Sequence, residues 1–494
     1  MEKMKLFYKN KKVLVTGATG FKGAWLCAWL LKLGAKVYGT GYNPNQNKSL
    51  FYKLSLQKKI NLKIFDIRDY RKLSSFVNAS KPSIIFHLAA QALIYESYKK
   101  PLLTFEVNCL GTLNILEVTK NFKFIKSLVS VTSDKCYENK GWTRGYKEND
   151  VLGGVDPYSA SKASSELIIR AYRESFFNGK QNRGVSSARA GNVMGGGDWS
   201  SKRLIPDCIR ALRKGSPINL RNPNFNRPWQ FVMEPLKGYL ILAKKQYENP
   251  KFFSGAWNFG TEAKSITNVK KIVEYLIKFW GSGSLIVQKI NKFYEQHNLQ
   301  LDIKKAKREL RWKPTYNIRD SVKVTTNWYY RVLEEKENPI TVTNLQIDNY
   351  MHENNCLKIF KQKVVNNKKG DILKFLSKRD FFFKKFGETY FTEVKKNKTK
   401  GWNYHKKNNC IIAVPYGKVN FWFIDGRKNS SSYYKEDKII IGKKNYKVIL
   451  IPPKIWFSFK SLTKISIVVN CIDNPHSDNE TLKSISIKNH KIKN

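Results

Sequence analysis

The seven cysteines, at 27, 109, 136, 208, 356, 410 and 471, include no C-x-x-C pair, and their number is odd. That argues against a disulfide framework or a zinc knuckle and suits a reducing compartment. Long apolar runs are missing as well. The longest near the N-terminus, Ala24 to Leu31, falls far short of a membrane span. No charged-then-apolar segment with a small-residue cleavage site precedes the first strand, so a cytoplasmic protein without a membrane partner is expected. There is no low-complexity tract and no internal repeat. Carboxylates are scarce: 38 Asp+Glu face 90 Lys+Arg, a net charge of +52. Residues 351–494 hold 31 Lys+Arg against 11 Asp+Glu, or +20, leaving +32 for the rest. A charge spread over both halves is read as solvated basic faces, with no nucleic-acid partner expected, and its field attracts an anionic substrate.

What is present begins with length. At 494 residues, 41% hydrophobic and 13% aromatic, the chain exceeds one ordinary core. Lys12–Thr16 reads as a buried strand, and Gly17-Ala18-Thr19-Gly20-Phe21-Lys22-Gly23 opens an apolar helix through Leu33. A second strand follows at Lys36–Thr40, then strand-like runs at Leu62–Phe65, Ser83–His87 and Ser127–Val131, each separated by a helical pattern. Alternating strands and helices predict a Rossmann-type, doubly wound parallel sheet. Mixed segments run to a helix around Arg319–Leu333, and the polar Glu334–Met351 stretch is expected to be a linker. Beyond it, runs at Ile411–Val414, Val419–Ile424, Lys438–Ile441, Tyr446–Ile451 and Ile465–Val469 predict an all-β sandwich or barrel. The expected domains are therefore 1–351 and 352–494.

Two segments carry the chemistry. Tyr158 and Lys162 stand four apart, so on a helix they share one face and the ammonium favours the phenolate. Asp134 and Lys135 add a carboxylate beside an amine, more proton-transfer groups than a simple alcohol oxidation needs. The glycine-rich turn, directly after a strand and opening a helix, suits a pyrophosphate at the helix N-terminus. The second strand leads into Thr40-Gly41-Tyr42-Asn43-Pro44, with no carboxylate and no arginine, so this end does not choose between NAD and NADP.

The chain from residue 12 to about 351 resembles the extended short-chain dehydrogenase/reductases and, within them, the sugar-nucleotide 4,6-dehydratases of the CDP-glucose branch. The likeness rests on Val15-Thr16-Gly17 through Gly23, His87-Leu88-Ala89-Ala90-Gln91, Thr132-Ser133-Asp134-Lys135-Cys136-Tyr137-Glu138-Asn139 and Asp156-Pro157-Tyr158-Ser159-Ala160-Ser161-Lys162. It continues through Arg189-Ala190-Gly191-Asn192-Val193-Met194-Gly195-Gly196-Gly197-Asp198-Trp199, Arg203-Leu204-Ile205-Pro206-Asp207 and Arg227-Pro228-Trp229-Gln230-Phe231-Val232. The dTDP-glucose dehydratases carry Asp-Glu where this chain has Asp134-Lys135, and that difference points to the CDP branch.

The resemblance implies NAD as cofactor, CDP-glucose as substrate and a place in deoxysugar and surface-polysaccharide biosynthesis, such as lipopolysaccharide O-antigen. It implies catalytic roles for Ser133, Asp134, Lys135, Tyr158 and Lys162. Cofactor contacts fall at Gly17, Thr19, Gly20, Phe21, Lys22, Gly23, Asp66, Ile67, Leu88, Ala89 and Ala90, and a nucleotide diphosphate grip at Asn192, Arg203 and Arg227. Arg221 and His297 are further candidates or surface residues. A homodimer or higher homo-oligomer is expected, since this fold commonly dimerises through the helix bearing Tyr158 and Lys162. A sugar-nucleotide 4-epimerase or reductase is the alternative enzyme, and a non-enzymatic scaffold the alternative class.

Residues 353–479 resemble the dTDP-4-dehydrorhamnose 3,5-epimerase family, a cupin-type β-barrel, through Gly387–Val394, Lys400-Gly401-Trp402-Asn403-Tyr404-His405-Lys406, Pro415–Val419 and Ile451–Trp456. The family's base histidine falls on Asn403, which cannot abstract a proton. On a strand, His405 would share the face of Asn403 and stand in for it. With the His-x-His ligand pair reduced to Asn403-x-His405, no metal is expected. The domain is expected to bind a sugar nucleotide or to mediate assembly, with bifunctional dehydratase/3,5-epimerase activity as the alternative.

Overall fold

Val13, Leu14 and Val15, all fully buried, make β1 (Lys12–Thr16) the spine of a seven-stranded sheet. A computed structural model describes residues 2–42, 49–177, 182–220, 222–287, 299–352, 357–362, 364–380, 382–428, 430 and 432–484. After β1 come α1 (Phe21–Lys32), β2 (Lys36–Gly41), β3 (Asn61–Ile64), α2 (Tyr70–Ser80), β4 (Ile84–His87), α3 (Gly111–Asn121) and β5 (Ser127–Val131). Then follow α4 (Pro157–Tyr172), β6 (Gly184–Ala190), α5 (Leu204–Lys214), α6 (Met233–Glu248) and β7 (Gly255–Phe259). The sheet order is β7-β6-β5-β4-β1-β2-β3, and every neighbouring pair is parallel.

Strands buried on both faces need apolar side chains on both, which is why Ile84-Ile85-Phe86 reads as an unbroken run. The chain winds outward from β1 to β3, then restarts at β4 on the other side. The crevice beyond the carboxyl ends of β1 and β4 is thus the topological switch point, where such sheets bind ligands. There Thr16 Oγ1 lies 2.7 Å from His87 Nδ1. The rest of this unit, including α7 (Val269–Trp280) and α8 (Ile318–Leu333), carries short paired strands, among them Asn226–Arg227 against Thr267–Asn268.

The stretch expected to be a linker is mostly helix. α9 spans Pro339–His352, with the Asn338 side chain accepting from Ile340 N at its start. Its buried stripe mixes Val342, Ile347 and Tyr350 with Thr343, Gln346 and Asn349. Polar residues on the inward face mask the helical period in the sequence. Trp328 Nε1 donates to Thr343 Oγ1 at 2.9 Å, which accounts for one of them.

The chain divides into compact units at Met1–Asn344 and Leu345–Asn494, a few residues before the expected edge at 351. The second unit is all-β among its described residues apart from the end of α9 and one 3₁₀ turn. Its strands are β8 (Lys358–Lys361), β9 (Glu388–Lys395), β10 (Thr399–His405), β11 (Cys410–Tyr416), β12 (Lys418–Asp425), β13 (Glu436–Gly442), β14 (Lys447–Ile451), β15 (Ile455–Ser461), β16 (Ile465–Ile472) and β17 (Thr481–Lys483), with two minor ones. They form two five-stranded antiparallel sheets, β8-β14-β11-β16-β9 and β13-β12-β15-β10-β17. Alternation along β12 sends Val419, Phe421 and Phe423 inward to meet Ile412, Val414 and Ile449 of the facing sheet. Ile411 and Ala413 point the other way, into a second cluster with Phe360, Phe382 and Val469. Burial on both faces explains why Ile411–Val414 shows no polar alternation.

Candidate active site

Three segments deliver the predicted residues to one place. The first is the glycine turn between β1 and α1. Gly17 has φ +67°, and a Cβ there would sit 2.7 Å from the Ala89 amide nitrogen, so a side chain would drive the turn away from the Leu88–Ala90 segment. Gly20 caps α1 without a side-chain hydrogen bond, leaving the first-turn N–H groups at Phe21, Lys22 and Gly23 open to an anion. This cradle fits a dinucleotide pyrophosphate. Asp66 and Ile67 follow β3. The Asp66 carboxylate is held by Arg68 through Nε at 3.1 Å and Nη2 at 2.7 Å, and the resulting hydrogen bonds lower its pKa. The Ile67 carbonyl accepts from Asn114 at 3.1 Å.

The second segment is a single 3₁₀ turn at the carboxyl end of β5, spanning Asp134–Cys136, with Ser133 as its cap. The Ser133 hydroxyl accepts from Lys135 N at 3.2 Å and donates to Asp134 Oδ1 at 3.1 Å. Asp134 is buried, and desolvation raises its pKa against the pull of Lys135, Ser133, Lys22 and Arg227. A Cβ at Gly191 would lie 2.9 Å from Asp134 Oδ2, so the bare backbone there leaves the carboxyl its space. Lys135 is half-buried.

The third segment is α4, started by Asp156, whose side chain accepts from Ser159 N, with Pro157 in the first turn. Tyr158 and Lys162 are both buried on one face of it. Burial pushes Tyr158 up to about 12, while a Ser133 hydrogen bond and Arg203 pull down. The expected lowering by Lys162 is therefore not what governs this phenol, because desolvation of the phenolate outweighs every neighbouring group. Burial also brings Lys162 down to about 8 and, with help from Arg203 and Lys162, brings Lys22 down to about 8. Neighbouring cations thus add to burial at Lys22, whereas at Lys162 burial acts alone.

Arg203 reaches this centre from the start of α5, tied by Nη1 to Asp198 Oδ2 at 3.1 Å. Arg227 acts on Asp134 from its short strand. Asn192 is half-buried beyond β6, and its carbonyl accepts from Gln230 N at 3.0 Å. Arg221 and His297 lie outside the described residues. Among the described residues no group of His, Cys, Asp and Glu suits a metal ion, and no helix is long and apolar enough to cross a membrane.

Sequence reasoning did not single out Glu166 and Arg189 as a pair. They form an ion pair at 2.7 Å, each side chain about 3% exposed or less. The only local signal was a carboxylate one helical turn after Lys162.

A glycine turn at the switch point, facing a Tyr-x-x-x-Lys helix, defines a dinucleotide-dependent enzyme of the short-chain dehydrogenase/reductase class. Residues 14–325 match the family described as GDP-mannose 4,6 dehydratase, and the chain belongs to it. It is 40% identical over 352 residues to a CDP-glucose 4,6-dehydratase of Salmonella typhimurium, covering 70% of this chain and 98% of that one. A dTDP-D-glucose 4,6-dehydratase of Dictyostelium discoideum is 25% identical over 397 residues, 70% of this chain and 86% of the relative. Among solved structures, dTDP-glucose 4,6-dehydratase from Bacillus anthracis in complex with NAD superposes with TM-score 0.56 at 22% identity, over 67% of this chain and 99% of that one. UDP-glucose 4-epimerase of Thermotoga maritima gives TM-score 0.57 at 20% identity, over 66% and 100%.

Proposed function

We propose that this protein dehydrates CDP-glucose to CDP-4-dehydro-6-deoxyglucose with NAD as a resident cofactor, in deoxysugar biosynthesis. The observation that carries the reading is the convergence of Tyr158, Ser133, Asp134 and Lys135 at the carboxyl ends of β1, β4 and β5. That set supplies a base for oxidation and a separate acid and base for elimination.

The Gly17–Gly23 turn would hold the pyrophosphate, with Leu88–Ala90 walling the same crevice, and Asp66 and Ile67 stand toward the adenosine end. Bound NAD would supply a hydride acceptor for C4 and give the same hydride back to C6 once water has left, with a proton regained at C5, so that sugar and cofactor balance. Tyr158 takes the C4 hydroxyl proton in its phenolate form, which Ser133 and Arg203 favour against burial, and Ser133 hydrogen-bonds the C4 oxygen. A 4-ketone acidifies C5, and Lys135 removes that proton. Asp134, whose pKa burial raises, gives its proton to the departing C6 hydroxyl. Arg203 and Arg227 suit the diphosphate through bidentate guanidinium forks, with Asn192 beside them. A 4-epimerase has no use for the elimination pair, so its presence favours dehydration.

We assign residues 1–351 to this activity and 352–494 to a separate cupin-like domain that binds a sugar nucleotide. One observation favours the bifunctional reading as an alternative: His405 Nδ1 lies 2.7 Å from Glu480 Oε2, an oriented imidazole on the face of Asn403. A homodimer is supported by apolar side chains left open around α4, including Leu102 (72% exposed), Leu167 (54%) and Phe176 (41%). Unpaired cysteines support a cytoplasmic setting.

The test is direct. Purified protein with CDP-glucose should give the alkali-induced absorbance of a 4-keto sugar, with no need for added reductant. UDP-, dTDP- and GDP-linked sugars serve as comparators. Absence of a 4-keto product from every one of them would defeat the proposal.

A further inference from the structure

The turn that carries Asp134 and Lys135 is short, and its own hydrogen bonds are few. What fixes it lies underneath. Thr132, just before the turn, donates from Oγ1 to Glu166 Oε1 at 2.5 Å. Tyr137, just after it, is tied to the same ion pair from the other side, its hydroxyl 2.7 Å from Arg189 Nη1. The Tyr137 hydroxyl in turn donates to Asn258 Oδ1 at 2.8 Å, on β7. Arg189 Nη2 closes on Glu166 Oε2 at 2.7 Å, and Ser187 donates to that same oxygen at 2.7 Å. Arg189 Nη1 also donates to the Glu148 carbonyl at 2.8 Å.

The position of Glu166 gives this its meaning. It sits on α4, one turn beyond Lys162 and two beyond Tyr158, and all three are buried. A single ion pair therefore spans the oxidation residues on the helix and both ends of the elimination turn. Burying two charges costs free energy that their attraction does not reliably return, so stability alone is a weak reason to keep such a pair. Arg189 Nε, buried with no partner among the described residues, adds to that cost.

We propose that Glu166 and Arg189 are positioning residues that hold Asp134 and Lys135 at a fixed offset from Tyr158, so that they serve elimination rather than oxidation. The inference rests on the dehydratase reading for its catalytic consequence, but its structural half stands apart from substrate.

The test releases the turn while sparing the ion pair: Thr132→Val with Tyr137→Phe, and Thr132→Ser as the conservative control. Cys136, inside the turn and fully buried, reports its release to a thiol reagent, with the half-buried Cys109 as internal reference and the modified residue read by peptide mass. In the full-length holoenzyme the double variant should label at Cys136 at least tenfold faster, at an unchanged Cys109 rate. With CDP-glucose, its kcat should fall more than tenfold at similar KM while absorbance near 340 nm builds up, because oxidation outruns elimination. Thr132→Ser should restore the parental rates. Unchanged Cys136 labelling would overturn the proposal. Faster labelling with parental turnover, or loss of turnover with no 340 nm rise, would overturn its catalytic half. Should the parental enzyme convert no sugar nucleotide, the functional reading fails, and Cys136 labelling still decides the positioning claim.

Discussion

The two units bury charge in opposite ways. In the first, Asp134, Lys162, Glu166 and Arg189 all sit at about 5% exposure or less, next to one another at the carboxyl ends of parallel strands. In the second, the space between the sheets is filled by Val, Ile and Phe, and charge is buried in separate places at strand ends: His405 against half-buried Glu480 at the end of β10, and Asp425 against Arg427 at the end of β12. Buried charge is costly and shifts pKa values by neighbour and by desolvation, so its concentration marks where a fold does proton chemistry. In the second unit Glu480, despite desolvation, is held below the usual carboxylate range by His405 and by the Lys407 and Asn408 amides. Asp134 goes the other way, raised by burial. A carboxylate kept charged orients its partner, whereas one pushed toward its neutral form donates a proton.

The largest effect expected is at Lys135. Lys135→Ala should lower turnover of CDP-glucose by about 10²–10⁴-fold, the usual worth of a general base. C4 oxidation should persist, so absorbance near 340 nm should accumulate on the enzyme in single-turnover mixing. A variant running at the parental rate would remove Lys135 from the elimination step. Tyr158→Phe should cost a similar factor, yet with no 340 nm rise, since oxidation itself is blocked. Because the phenol acts on sugar and the glycine turn on pyrophosphate, this variant should keep its cofactor, measured by release on denaturation. Cofactor-free protein would make Tyr158 a binding or folding residue.

Much of this contrast was legible in the sequence, though unevenly. The glycine turn and Tyr158-Lys162 are local patterns: the first falls between β1 and α1 and the second on one face of α4, as their spacing implied. The unit boundary after Asn344 falls inside the stretch expected to be a linker, but its helix was hidden because Thr343, Gln346 and Asn349 occupy the buried stripe of α9, and polar residues on an inward face erase the period. Glu166 with Arg189, and His405 with Glu480, are pairings 23 and 75 residues apart. Such pairings depend on sheet order and strand register, which no local motif encodes.

A smaller effect separates burial from catalysis. Lys162 has its pKa brought down to about 8 by desolvation, below its unfolded value of 10.5. Between those values the unfolded chain binds the extra proton, so stability from this group rises with pH from about 8 and levels off near 10.5. From pH 8 to pH 10 the gain is about 2 kcal/mol. Lys162→Met should flatten that part of the profile relative to the parent in urea unfolding at the two pH values. An identical slope in both would mean the ammonium is solvated in the native state.

The smallest expected effect is the sharpest for the comparison: removing the second unit should leave dehydration almost unchanged. Truncation after His352 retains the whole of α9, including the Trp328–Thr343 bond, and keeps every residue assigned to the reaction. The first unit has its own core, from Leu14 and Ile85 through Ile115, Leu128 and Val185. The truncated chain should be monodisperse, with kcat within about twofold of the full chain, the scale of an effect below 0.5 kcal/mol. The full chain in deuterated water then tests what the second unit adds. Elimination labels C5 of the product, whereas proton exchange by a base in the β domain would also label C3. Label confined to C5 in both proteins fits a domain that binds and does no chemistry. Label at C3 in the full chain alone, lost in His405→Ala, would make the His405–Glu480 pair a second catalytic centre. Buried charge would then mark chemistry in both units rather than one.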